Sequence, residues 1–118
     1  MTENNAAALF DKWNDALKTK DPEQVAALYD PELGILVPTL SNKVRHNLEE
    51  IEDYFVHFCA KGPVSVIDES NIRILGDIAI NSGLYTFNYE DGTSASGRFT
   101  FVYRDGLILE HHSSLLPE

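Results

Sequence analysis

Apolar residues recur at three- and four-residue spacings at the front of the chain and at alternate positions in its second half. Ala6, Leu9, Phe10, Trp13, Ala16 and Leu17 form one stripe, which predicts an amphipathic helix of about four turns. Asp21-Pro22-Glu23 restarts the chain, with Asp21 as N-cap and Pro22 at the first helical position. Val25, Leu28 and Tyr29 form the inner face of this short second helix, which Asp30-Pro31 ends. Gly34-Ile35-Leu36-Val37 reads as a brief buried strand stopped by Pro38, and residues 38–42 as a loop. Asn47, with Glu50 three residues later, is a variant capping box that opens a third helix. Ile51, Tyr54, Phe55 and Phe58 are its buried stripe, and Lys61-Gly62-Pro63 its stop.

From there the period drops to two. Four strands are predicted: Val64–Leu75, Ile78–Tyr89, Ser94–Arg104 and Leu107–Leu115. Turn chemistry links them at Gly76-Asp77, Glu90-Asp91-Gly92-Thr93 and Asp105-Gly106. An antiparallel meander must bury one face, and the helices ahead of it supply the cover. The expected fold class is α+β, a single domain over residues 1–118. Three N-terminal helices pack on a curved antiparallel sheet, leaving a cone whose open mouth suits a ligand.

Composition narrows the partners. A chain of 118 residues with 43% hydrophobic positions, one Trp, five Tyr and six Phe can build a sizeable core. Nineteen acidic against nine basic side chains give a net charge of −10, which repels phosphate backbones and anionic lipid. No nucleic acid and no membrane is therefore expected as a partner, and the chain is no basic calmodulin target. The N-terminus has neither a basic region nor an apolar run of secretory type, and no stretch is long enough to span a bilayer. Cys59 is alone and reads as a small buried hydrophobe. A cytoplasmic location is expected, or an organellar one if a targeting segment has been removed.

Candidate chemistry concentrates in Glu110-His111-His112-Ser113-Ser114, at the end of the last strand. Histidine titrates near neutral pH, and serine both donates and accepts hydrogen bonds. With Asp105-Gly106 as a two-residue turn, Tyr103 opposes Ile108, Phe101 opposes Glu110 and Phe99 opposes His112. The aromatic face is the covered one, so this register carries Glu110, His112 and Ser114 inward and leaves Arg98, Thr100, His111 and Ser113 on the other face. A bulge or a one-residue slip would exchange the two sets. An inward His and Ser must find partners, either as a satisfied polar network within the core or as the wall of a small-molecule pocket. Tyr54 on the third helix and Thr39 after the first strand can reach the same cavity. No ligand set for a metal emerges: adjacent His111 and His112 point to opposite faces of a strand, and Cys59 has no CxxC partner. Phosphate loops, nucleophile elbows and dinucleotide fingerprints are absent.

The segments "DPEQVAALYD", "VPTLSNKVR", "IEDYFVHF", "INSGLYTF", "GRFTFVYRDG" and "EHHSSLLPE", with Trp13, resemble the calcium/calmodulin-dependent kinase II association-domain family of the NTF2-like superfamily. The resemblance runs from about Ala7 to Glu118 and is nearest to small stand-alone members; the tail is similar to the HHHSSxMP signature of iota-class carbonic anhydrases. It implies reversible hydration of carbon dioxide to bicarbonate without a cofactor. The catalytic roles fall on Thr39 of "PTLS", Tyr54 of "DYF", and His112 and Ser114 of "HHSS", with Arg98 of "GRF" as an anion contact. Glu110 stands where that signature has its first His, and Leu116 where it has Met.

Two other functions fit the same resemblance. One is a non-catalytic oligomeric hub binding a small carboxylate, since association domains assemble kinase rings. The other is an NTF2-like isomerase or cyclase, which needs a larger cavity and an inward acidic base. Whichever function holds, the resemblance implies a homodimer or higher homo-oligomer paired through the sheet.

Overall fold

The computed structural model describes residues 2–117; Met1 and Glu118, the last residue of the tail motif, lie outside the described residues. Helix α1 (Glu3–Lys18) is opened by Thr2, whose hydroxyl accepts from the Asn5 amide, while the Asn5 side chain accepts from the amide of Thr2. It turns Ala6, Phe10, Trp13 and Leu17 into the core, as the spacing predicts. Helix α2 (Pro22–Ala26) begins at the expected cap, Asp21, whose carboxylate accepts from Glu23 N–H at 3.0 Å. It ends earlier than the sequence suggests. Leu28 and Asp30 instead give their backbone groups to Ile108, so Tyr29 sits in a bridge to the sheet rather than in helix.

Strand β1 (Ile35–Val37) precedes α3 (Leu48–Ala60), where the Asn47 side chain caps the Glu50 amide at 2.9 Å. The predicted box closes differently: the Glu50 carboxylate accepts from the backbone amide of His46 in place of that of Asn47. Strands β2 (Val64–Leu75), β3 (Ile78–Asn88), β4 (Ser94–Arg104) and β5 (Leu107–Leu115) match the predicted bounds, except that Tyr89 falls outside β3. The sheet order is β1-β5-β4-β3-β2, antiparallel throughout save for the parallel β1–β5 pair. Asp105 and Gly106 both take positive φ, 54° and 78°, which is the two-residue turn that suits the right-handed twist of a hairpin.

The helices cover one face of the sheet, where Tyr85, Phe87, Phe99, Phe101, Tyr103 and Ile108 meet Phe10, Trp13 and Phe55. Cys59 is buried there, and burial pushes its thiol up to about 11, so it stays an inert thiol at neutral pH. Among the described residues no helix is long and apolar enough to cross a membrane.

Candidate functional site

The β4–β5 hairpin starts in the expected register, Arg104 with Leu107 and Tyr103 with Ile108, and then slips. Glu110 pairs with Val102, leaving Leu109 as an extra residue, a β-bulge. Every position beyond it changes face. His111 and Ser113 are the buried pair, at 3% and 4% exposure, while His112 is exposed and Ser114 half-buried. The sequence expectation of an inward His112 and Ser114 is therefore corrected. The physical reason is Glu110: an unbulged strand would press its carboxylate against Phe101 inside the core, with no cation to pair it. Bulging at Leu109 turns Glu110 to solvent. Arg98 is exposed on the outer face and pairs with Ser114, so it does not reach the inner site.

Thr39 and Tyr54 do reach it. The parallel pairing of β1 with β5, Leu36 beside His111 and Val37 beside His112, delivers the chain after Pro38 to Ser113, and the Thr39 and Ser113 hydroxyls are hydrogen-bonded. Arg45 holds that loop from below. Its guanidinium donates to the Glu50 carbonyl at 3.1 Å, to Ser41 Oγ at 3.2 Å and to the Asp53 carboxylate at 3.1 Å. Tyr54 takes the Leu40 amide on its hydroxyl oxygen at 3.4 Å, and burial raises its pKa to about 12.

Three residues that sequence reasoning did not assign to the site complete a buried chain of polar groups. Trp13 Nε1–H donates to the Tyr29 hydroxyl at 3.2 Å, and that hydroxyl lies 2.8 Å from Nδ1 of His111. On the other side of the ring, Nε2 is 3.2 Å from the Tyr85 hydroxyl, which bonds Ser113 in turn. The imidazole is stacked on Phe101 at 4.0 Å between centroids and meets the edge of Trp13 at 5.2 Å. This burial, with His112 adding a smaller unfavourable charge, lowers the His111 pKa to about 3. At neutral pH the ring is uncharged. Burial likewise holds Tyr29 and Tyr85 far above the usual phenol range.

The cavity at the end of this chain, lined by Thr39, Tyr54, Phe58, Tyr85, His111 and Ser113, has a volume of about 10 Å³. That is space for about one water. On the far side of Tyr54 and Phe58 lies a groove of about 280 Å³, bordered by Leu40, Ser41, Arg45, His57 and Lys61. Among the described residues no three His, Cys, Asp or Glu side chains converge as a metal would require, and both nitrogens of His111 are occupied by tyrosines.

Curved sheet, three covering helices and a polar pocket between them make up an NTF2-like fold. Two NTF2-like structures share the fold at low identity: one of unknown function from Pseudomonas putida (16% identity, TM-score 0.83, covering 98% of this chain and 87% of that one) and one described as a dehydratase from Streptomyces avermitilis (14%, 0.78, 98% and 97%). A solved structure from Xanthomonas campestris, described as a calcium/calmodulin-dependent protein kinase II association domain, is 48% identical with a TM-score of 0.89, covering 96% of this chain and 86% of that one. The calcium/calmodulin-dependent protein kinase II association-domain model matches residues 2–117, and the chain belongs to that family. No curated protein matches it.

Proposed function

We propose that this chain forms a homo-oligomer and that its enclosed site hydrates carbon dioxide to bicarbonate. The observation that carries the reading is the pairing of Thr39 and Ser113 hydroxyls at the floor of an aromatic-walled cavity of about 10 Å³. A drug-sized ligand needs about 300–1,000 Å³, so an isomerase or cyclase substrate does not fit, and Glu110, the base such chemistry would need, faces solvent. Apolar walls suit carbon dioxide.

In this reading the site works by proximity and donated hydrogen bonds. Carbon dioxide comes up from the groove against Phe58 and Tyr54 and meets the one water that the cavity holds; that water adds its oxygen to the carbon, and the Thr39 and Tyr54 hydroxyls stabilise the oxygens that gain charge. The products are bicarbonate and one proton. His111 is not the base, because a ring whose pKa is lowered to about 3 takes a proton poorly and both its nitrogens are engaged. The proton leaves past Tyr54 to water or buffer in the groove. Catalysis without an internal base is slow beside the roughly 10⁶ s⁻¹ of zinc enzymes, and it accelerates with buffer concentration.

Stopped-flow carbon dioxide hydration on EDTA-treated protein tests this, alongside Thr39→Val and Ser113→Ala. Activity in the parent that both changes remove supports the reading; absence of activity in folded protein sinks it. A second reading, a non-catalytic association hub, is favoured by the family match and by the complete pairing of the His111 network. It predicts the same oligomer and no turnover.

A further inference from the structure

The buried chain of polar groups has a direction. An indole N–H donates and never accepts. Trp13 therefore places its proton on the Tyr29 oxygen, and the proton of Tyr29 has one remaining partner among the described residues, Nδ1 of His111. Nδ1 accepts, so the neutral ring carries its proton on Nε2 and donates it to the Tyr85 oxygen. Tyr85 then donates to Ser113, and Ser113 to Thr39. Thr39 comes last, and its proton points to whatever fills the cavity. Running the chain backwards would set the Trp13 and Tyr29 protons against each other in a fully buried place and leave one unpaired.

We propose that Trp13 is a positioning residue: through Tyr29 it fixes the Nε2–H form of His111 and orients every hydroxyl down to Thr39, so that the cavity floor donates and selects ligand atoms that accept. Carbonyl, carboxylate and bicarbonate oxygens are the class it takes. The ligand class deepens the carbon dioxide reading and rests on it; the tautomer does not.

The chain holds one Trp, so a tryptophan auxotroph fed 3-benzothienylalanine replaces that single N–H by sulfur with little change of shape. Imidazole ¹⁵N spectra of the parent protein are expected to show His111 protonated at Nε2 and bare at Nδ1. With benzothienylalanine, the share of the Nδ1–H form rises about five-fold or more, the equivalent of losing one buried donor contact. Formate shifts the amide signals of Thr39 and Ser113, whereas methylammonium does not. An Nδ1–H ring in the parent protein overturns the inference whether or not the replaced protein folds. An unchanged tautomer ratio in folded replaced protein, or equal responses to the two ions, overturns it as well. Missing carbon dioxide turnover alongside the expected tautomer removes the proposed activity and leaves the role of Trp13 standing.

Discussion

The Tyr29 hydroxyl lies 2.8 Å from Nδ1 of His111, a contact between residues 82 positions apart in sequence. It ties the segment after α2 to the middle of β5, and the same oxygen receives the indole proton of Trp13. Tyr29→Phe removes both bonds and leaves a buried donor unpaired. A loss of about 1–3 kcal/mol is expected, read from urea unfolding midpoints, with the slope of the transition unchanged.

His111 makes stability depend on pH. Its folded pKa of about 3 lies below the ordinary value of 6.5, so between those values the unfolded chain binds the extra proton. Stability is fully present above about pH 6.5 and falls as pH drops toward 3, by about 2 kcal/mol at pH 5. Urea unfolding of the parent and of His111→Gln at pH 7 and pH 5 isolates this contribution from that of the carboxylates. The variant should lose less between the two pH values; equal losses would place the ring in contact with solvent.

Alanine substitutions separate the two faces of the tail. His111→Ala and Ser113→Ala should each lower carbon dioxide hydration about a hundred-fold, the lower end of what one oriented donor contributes. His112→Ala and Ser114→Ala on the outer face should stay within about two-fold of the parent protein. The reverse pattern in initial rates would restore the unbulged register.

The outer face of the sheet carries Leu84, Ile80 and Val102, all half-buried, beside Arg98 and Arg104. Oligomers of this chain are expected to bury that face. Light scattering after gel filtration should show at least a dimer, and Leu84→Glu or Val102→Glu should yield a monomer with the same far-ultraviolet spectrum.

Deleting Leu109 should leave the pocket in place. Without it Ile108 still pairs Tyr103, and Glu110 still pairs Val102, so His111 and Ser113 remain inward. The imidazole ¹⁵N signals and the hydration rate of this deletion should therefore follow the parent protein. A deletion mutant in which His112 takes on the buried signal would contradict the assigned bulge.

Helices, strand limits and turns were legible because each rests on local chemistry. The stripe of Trp13, the cap at Asp21 and the Asp105-Gly106 turn act within a few residues of themselves. The helical share of Tyr29 was misjudged because its conformation is decided by hydrogen bonds to Ile108, far along the chain. The inward pair was misassigned for a reason the sequence did contain. Leu107-Ile108-Leu109 breaks the alternation of apolar and polar positions, and a strict register would have buried Glu110. Those two marks together point to the bulge. Nothing in local spacing brings Trp13, Tyr29 and Tyr85 to one imidazole; only the packed helices do that.

The placement of β5 between β1 and β4 has a consequence in time. β1 can join the sheet only by closing a loop that contains α3 and three other strands, and closure over so long a span is a slow step. The Thr39–Ser113 contact belongs to that step. The cavity floor therefore joins residues 74 apart and exists only when β1 is docked on β5; a β2-to-β5 meander without that docking has no floor.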